Sequence, residues 1–319
     1  PRLDPPQSPA RIRQRFRRGV FVIPSLLTTA NIFCGFYSVM ESLAGARALA
    51  IAGLGDGSMD PASILSATEH FDRAAINIGF ATLFDLLDGR VARMTNATSE
   101  FGLELDSIAD VISFGIAPAV LAFAWGYGQV PELHKIGWVA SFLFVICGAL
   151  RLARFNVQAR RPAPNLPPKN PKVDKKAFVG MPIPIAAAMV ASIVHAWPRP
   201  LRHISDFSLP LSITSHAFAV GMVALVVSLA FLMISTIRYQ SFKNVNITSN
   251  PRILIMTIAL LVTAIWFYSQ ASLLIISTVY AAHGVILKLW SMFRIRRDDS
   301  SAELESKTEA DTRGSLPET

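Results

Sequence analysis

Eight apolar stretches set the terms for this chain. They lie at roughly 21–44, 73–94, 106–127, 136–155, 180–197, 209–236, 253–269 and 271–290. Each is close to the ~20 residues that a helix needs to cross the hydrocarbon core of a bilayer. The expected fold is therefore all-α: a polytopic transmembrane helical bundle of about eight spans. Composition agrees, with 52% hydrophobic residues, only 16% charged and a mean hydropathy of +0.42, values of an integral membrane protein rather than a soluble domain. The last two spans are separated by little more than Ser269-Gln270, which reads as a tight hairpin. Residues 46–72 read as a Gly/Ala-rich loop carrying Asp56, Asp60 and Glu69. Residues 160–178 are rich in Pro, Lys and Arg and cannot span, and 298–319 read as a disordered acidic tail.

The charge distribution orients the bundle. A net charge of +8 suggests nucleic acid at first sight, but the cations cluster between apolar spans, where they face anionic headgroups. When each cation is assigned to its nearest side, only Arg47, Arg73, Lys135, Arg199 and Arg202 of the 30 Lys+Arg fall on one side. The rest share a side with both termini, which predicts that both termini are cytoplasmic. The opening segment 1–20 carries Arg11, Arg13, Arg15, Arg17 and Arg18, with Ile12 and Phe16 among them. It reads equally as a short amphipathic surface helix or as a solvated basic anchor. It leads into a full-length span without a small-residue cleavage site, so no removable signal peptide is expected. Cys34 and Cys147 each sit in an apolar stretch, which leaves no disulfide framework. Trp125, Trp138, Trp197 and Trp290 lie near span ends, as interfacial anchors do. His195, His216 and His283 lack ligand spacing and read as packed or hydrogen-bonded side chains. No repeat of 20–50 residues is apparent.

Four aspartates break the apolar pattern. Between Ala75 and Leu87 the one charge is Asp85, and Asp88 follows; Asp106 and Asp110 come next. Carboxylates at membrane depth are costly and need a compensating partner. Asp85 and Asp88 are three apart, Asp106 and Asp110 four apart, so each pair shares one helix face. Two such faces opposed make a cage of carboxylate oxygens, which suits hard divalent cations such as Mg²⁺ or Mn²⁺. Two ions sharing carboxylates suit phosphoryl chemistry, because they stabilise the attacking and leaving oxygens together. Gly89 and Ala92 lack bulk beside the acids and let a large ligand approach the backbone. Charge places this cluster at the cytoplasmic ends of spans 2 and 3, and Asp106 reads as the residue opening span 3.

The pattern Asp-x2-Asp-Gly-x2-Ala-Arg-x8-Gly-x3-Asp-x3-Asp falls on Asp85, Asp88, Gly89, Ala92, Arg93, Gly102, Asp106 and Asp110. At every fixed position it resembles the signature of the CDP-alcohol phosphotransferases. The resemblance implies two divalent metals among Asp85, Asp88, Asp106 and Asp110, with Asp110 also the base that takes the acceptor's proton. It implies that Gly89, Ala92, Arg93 and Gly102 border CDP and its pyrophosphate. Asn31 and Ser99 are weaker candidates for the same ligand. Arg151-Leu-Ala-Arg-Phe-Asn156 and Phe178-Val-Gly-Met-Pro-Ile-Pro184 are similar to segments typical of the phosphatidylserine synthases within that family. So are Ile23-Pro-Ser-Leu-Leu-Thr-Thr-Ala-Asn31 and Cys34-Gly-Phe36. A serine acceptor carries a carboxylate, which Arg151 and Arg154, three apart, suit.

On this resemblance residues 21–245 form the family's transmembrane core, and 246–297 an additional hairpin. The implied reaction moves the phosphatidyl group of CDP-diacylglycerol to the hydroxyl of L-serine and releases CMP. The implied setting is a homodimer in a bacterial cytoplasmic membrane, with its active site facing the cytoplasm. Another acceptor, such as glycerol 3-phosphate, an inositol phosphate or choline, is the alternative within the family. A divalent-cation transporter is the alternative from another class. Against it, the sequence shows acids near one side of the spans only.

Overall fold

The computed structural model describes residues 22–52, 60–95, 99–159, 178–200, 215–235, 238–239 and 267–283, with isolated positions 256, 263 and 286. The basic opening segment, the 160–177 loop, most of the 253–269 span, Trp290 and the acidic tail lie outside the described residues. The described elements are helical save one short strand pair. They run α1 (Val22–Ala52), α2 (Pro61–Met94), α3 (Glu100–Trp125), α4 (His134–Ala159), β1 (Phe178–Val179), α5 (Ile183–Ala196), α6 (Ser215–Ile234) and β2 (Arg238–Tyr239). A further helix, α7, covers residues 269–283.

Among the described residues, three helices are long and apolar enough to cross a bilayer: Glu100–Trp125, Pro131–Gln158 and His216–Ile234. The predicted span at 180–197 contracts to the 14 residues of α5. At 1.5 Å per residue that is ~21 Å, short of a ~30 Å hydrocarbon core. Large apolar side chains, including Phe33, Leu86, Phe101, Trp138, Phe142 and Phe231, point outward from the bundle.

Residues 46–52 and 61–72 are helical, not the loop their composition suggests. The Ala-rich run to Ala52 continues α1, and α2 begins at Pro61. Alanine is the strongest helix former, and Asp60-Pro61 is a strong start signal. The Asp60 side chain accepts hydrogen bonds from the N–H groups of Ala62 and Ser63. The Ser63 hydroxyl also donates to it, and these bonds hold its carboxyl below the usual carboxylate range.

Helices α1 and α2 form the most extensive pairing in the bundle. Thr28 bonds Asp88, Ser38 bonds the Ala74 carbonyl and Glu41 bonds His70. As one number rises the other falls, so the two helices are antiparallel. Small residues allow the closeness: α2 buries Ala67, Ala74, Ala75 and Ala81 along this side. Gly35 does the same between α1 and α3, where an added Cβ would lie 2.6 Å from the Ser113 Cα. Gly35→Ala is therefore expected to cost about 1–3 kcal/mol by overpacking. It should lower the unfolding temperature followed by tryptophan fluorescence in detergent.

The entry to α5 is tied to the end of α6. Phe178 pairs with Tyr239 and Val179 with Arg238, antiparallel. Gly180 follows with φ +85°, a left-handed conformation that favours glycine, and a Cβ there would lie 3.1 Å from the Ser235 carbonyl oxygen. The Met181 N–H then donates to the Leu232 carbonyl at 3.1 Å. Trp125, expected as an interfacial anchor, is instead buried and donates its indole N–H to the carbonyls of Trp197 and Arg199. Its polar atom found partners that no local pattern announces. Trp138 and Trp197 are exposed.

Candidate active site

The last turns of α2 and the first turns of α3 meet as a helical hairpin, and the four aspartates gather there. Asp85, Asp88 and Asp106 each offer a carboxylate oxygen, all within 4.8 Å of one another. Asp110, one turn further along α3, lies within hydrogen-bonding reach of Asp85. From α1, Thr28 Oγ1 donates to Asp88 Oδ2 at 2.8 Å, with the Pro24 carbonyl a longer alternative at 3.1 Å. The sequence reading missed Thr28. Its signal was a hydroxyl three residues before Asn31, on the same helix face.

Asp106 does not open its helix. Helix α3 starts six residues earlier, at Glu100, with Ser99 as its cap: Ser99 Oγ accepts from the Gly102 N–H at 3.0 Å. Asp106 is thus freed from capping and turned into the acidic cluster. Ser99 and Gly102, expected at the nucleotide, make this cap with each other. Directly after Asp110 the helix widens to a π-helical turn over Val111–Ile116, where the Ala117 N–H bonds the Ile112 carbonyl five residues back. Such turns shift the register of a helix and recur at functional sites.

Unpartnered buried atoms mark the same place. Among the described residues, the buried side-chain N and O atoms without a hydrogen-bond partner are Asp106 Oδ1, Asp110 Oδ1, Asn31 Nδ2 and Oδ1, and Arg151 Nε. Asn31 is fully buried, and its own carbonyl accepts from Ser113 Oγ, one turn past Asp110. The Arg151 guanidinium lies in the field of Asp110. Buried polar groups are almost always paired, so a concentration of unpaired ones marks a candidate ligand site. The carboxylate groups of Asp85, Asp88 and Asp106 present oxygens that carry like charges and converge. That set fits hard divalent cations.

The remaining expected residues divide. Gly89 and Ala92 share the α2 face that carries Asp85 and Asp88, and a Cβ at Gly89 would meet nothing within 4 Å, so the space beside the acids is open. Arg93 is exposed in the last turn of α2. Arg151 is buried beside Asp110, whereas Arg154 Nη1 donates to the Ile234 carbonyl at the end of α6. The Arg pair of the sequence therefore separates into one residue at the acids and one at a helix end. Nearby, Asn156 Nδ2 donates to Ser107 Oγ at 2.8 Å, tying α4 to α3 next to Asp106.

Acids are not confined to one end of the bundle, as the sequence suggested. Asp72 lies 13 residues before Asp85 on α2, ~20 Å along the axis. It bonds His195 Nδ1 at 2.6 Å, and His195 Nε2 bonds Ser269 Oγ at 2.9 Å. Glu41 bonds His70 at 2.7 Å and pairs with Arg73 Nε at 3.2 Å. These acids have basic partners from distant parts of the chain, which sequence spacing does not reveal. They are held in hydrogen bonds and an arginine ion pair, not gathered into an open carboxylate cage.

A family model described as CDP-alcohol phosphatidyltransferase matches residues 21–234. Over 277 residues the chain is 31% identical to the CDP-diacylglycerol–serine O-phosphatidyltransferase of Helicobacter pylori, covering 86% of this chain and 94% of that protein. It is 32% identical over 219 residues to the archaetidylserine synthase of Methanothermobacter thermautotrophicus, 68% of this chain and 69% of the relative. The like-named Saccharomyces cerevisiae serine phosphatidyltransferase is 37% identical over 170 residues, 53% of this chain and 52% of the relative. Apolar helices of spanning length and relatives that make membrane lipids agree that this is a membrane protein. The chain belongs to the CDP-alcohol phosphatidyltransferase family of enzymes.

Proposed function

We propose that the protein is a phosphatidylserine synthase, which moves the phosphatidyl group from CDP-diacylglycerol to L-serine and releases CMP. The observation that carries this reading is the convergence of Asp85, Asp88 and Asp106 within 4.8 Å, with the orphaned oxygens of Asp106 and Asp110 beside them. The relatives' names supply the acceptor.

The four aspartates would hold two divalent ions, Mg²⁺ or Mn²⁺. When bound, these supply positive charge against the pyrophosphate and the developing charge on the leaving CMP. The chain's own residues do the rest. Gly89 and Ala92 leave room for the nucleotide beside the acids, and Arg93 offers a cation to its phosphates. Asp110 accepts the proton of the serine hydroxyl as its oxygen attacks the phosphorus that bears diacylglycerol. The bond from that phosphorus to the bridging oxygen breaks, and CMP departs with the electron pair. Arg151, buried next to Asp110, pairs with the serine carboxylate and holds the hydroxyl in line. Asn31 meets the ligand with both of its unpaired side-chain atoms. The lipid tails stay in the bilayer.

The excess of cations on one side puts both termini and this site at the cytoplasmic face, where the polar substrates are found. We place eight spans in the chain, the first six within 21–245 and the last two in a hairpin over 246–297. Like its family, the protein is proposed to act as a homodimer.

Thr28 positions Asp88 through its hydroxyl. Thr28→Val removes the donor at nearly constant volume and is expected to raise the Mn²⁺ concentration for half-maximal CMP release about tenfold, the size of effects seen for partners of metal ligands. Activity at saturating Mn²⁺ should recover. The acceptor is tested by supplying purified protein with CDP-diacylglycerol and L-serine, glycerol 3-phosphate, an inositol phosphate or choline, and identifying the lipid product by mass spectrometry. Phosphatidylserine is the expected product. Another headgroup would keep the mechanism and replace the acceptor, and metal flux into liposomes without any product would favour a transporter.

A further inference from the structure

Helix α7 lies outside the 21–234 match to the family, yet it is fastened to the core by specific polar contacts. Ser269 Oγ bonds His195 Nε2 at 2.9 Å, Ser277 Oγ bonds Ser192 Oγ at 2.9 Å and Thr278 Oγ1 lies 3.7 Å from Met189 Sδ. Along α5 the partners run 195, 192, 189 while along α7 they run 269, 277, 278, so the two helices are antiparallel. Met189, Ser192 and His195 repeat every three residues and form one stripe on α5. On α7, Ser269, Ser277 and Tyr280 fall on one face. The polar pairs therefore fix both the rotation and the height of α7. They also carry its far end away from the Asp72–His195 network and toward the entry of α5.

That far end brings Tyr280. Its ring is half-buried against the core of the bundle, and the Arg151 guanidinium lies within electrostatic reach of its hydroxyl as well as of Asp110. Arg151 keeps a buried Nε without a hydrogen-bond partner among the described residues. Arg151 thus has both the proposed base and a phenol within electrostatic reach, and the docking of α7 through Ser277 on Ser192 brings Tyr280, one turn further on, to this end of the bundle. A carboxylate bound to Arg151 has a second oxygen to satisfy, and a phenol donates a hydrogen bond but brings no charge to compete for the arginine.

We propose that Tyr280, delivered by the docked α7 helix, completes the acceptor pocket by donating its hydroxyl to the carboxylate of the acceptor held on Arg151. This assignment rests on the phosphatidylserine synthase reading and makes the pocket selective for an amino-acid carboxylate. It also gives the helix beyond the family match a task in the reaction.

The test is steady-state kinetics of Tyr280→Phe in the full-length protein, which keeps the ring packing and removes one hydroxyl. The KM for L-serine should rise about tenfold, the scale of one hydrogen bond to a charged group. The kcat at saturating serine and the KM for CDP-diacylglycerol should stay within about twofold. L-Alanine keeps the carboxylate and lacks the hydroxyl; its inhibition constant as a competitor of serine should rise in parallel. An unchanged serine KM in an active variant would overturn the assignment alone. So would a joint fall of kcat with a rise in both KM values, because that pattern marks a packing defect. If the wild-type protein releases no CMP with serine, the reading beneath the assignment fails and takes the assignment with it.

Discussion

Replacing Asp110 by Asn should reduce serine-dependent CMP release by about 10²–10⁴-fold, the range that a positioned general base contributes. The substitution keeps the size of the side chain and removes its ability to take a proton. Asp110 is well placed for that effect. One of its oxygens is buried without a partner among the described residues, Arg151 lies within electrostatic reach, and a π-helical turn begins directly after it at Val111. The fold should survive, because a neutral amide in place of a carboxylate relieves like-charge repulsion with Asp85 and Asp106. The check is the initial rate of CMP release by wild type and variant, with size-exclusion profiles and unfolding temperatures alongside. A variant that keeps within tenfold of wild-type activity would remove Asp110 from the role of base.

Removing divalent ions should have an effect of similar size. Three carboxylates within 4.8 Å of one another repel strongly in a poorly solvated setting, and among the described residues no Lys or Arg forms an ion pair with any of them. Excess EDTA is expected to bring CMP release down to background, and added Mg²⁺ or Mn²⁺ should restore it. Asp88→Asn or Asp106→Asn should shift the metal dependence to higher concentration and lower the maximum. The unfolding temperature offers a readout independent of turnover. Wild type should gain stability with Mn²⁺ by mass action, and the Asp88→Asn variant should gain less. Full activity in EDTA would leave the cluster without its proposed role.

The sequence made the acidic centre legible because it is built from two local patterns. Asp85/Asp88 and Asp106/Asp110 each lie within one turn of one helix, and the short link between them forces the helices to face each other. Residues that reach the centre from afar were harder to see. Asn31 was a candidate from the sequence, but Thr28 was one polar residue among many in α1 until the antiparallel packing of α1 on α2 set it against Asp88. Arg151 and Arg154 looked equivalent at a spacing of three, but Arg151 is buried and Arg154 donates to the Ile234 carbonyl at the end of α6, contacts that no local spacing announces. Boundaries failed where hydropathy was the guide. Alanine-rich and cap-bounded segments extended α1, α2 and α3 beyond their apolar cores, which is why Asp106 sits inside its helix and not at its start. The Asp72–His195–Ser269 chain joins positions 123 and 74 residues apart, and no pattern in the sequence announces it.

The stoichiometry of transfer tests phosphatidylserine synthesis most directly. Purified protein would be given CDP-diacylglycerol, Mn²⁺ and isotopically labelled L-serine, with CMP and labelled lipid measured in the same samples. One phosphatidylserine formed for each CMP released, and negligible CMP without serine, is the predicted result. CMP released in step with phosphatidic acid, independent of serine, would show that water is the acceptor and would contradict the account.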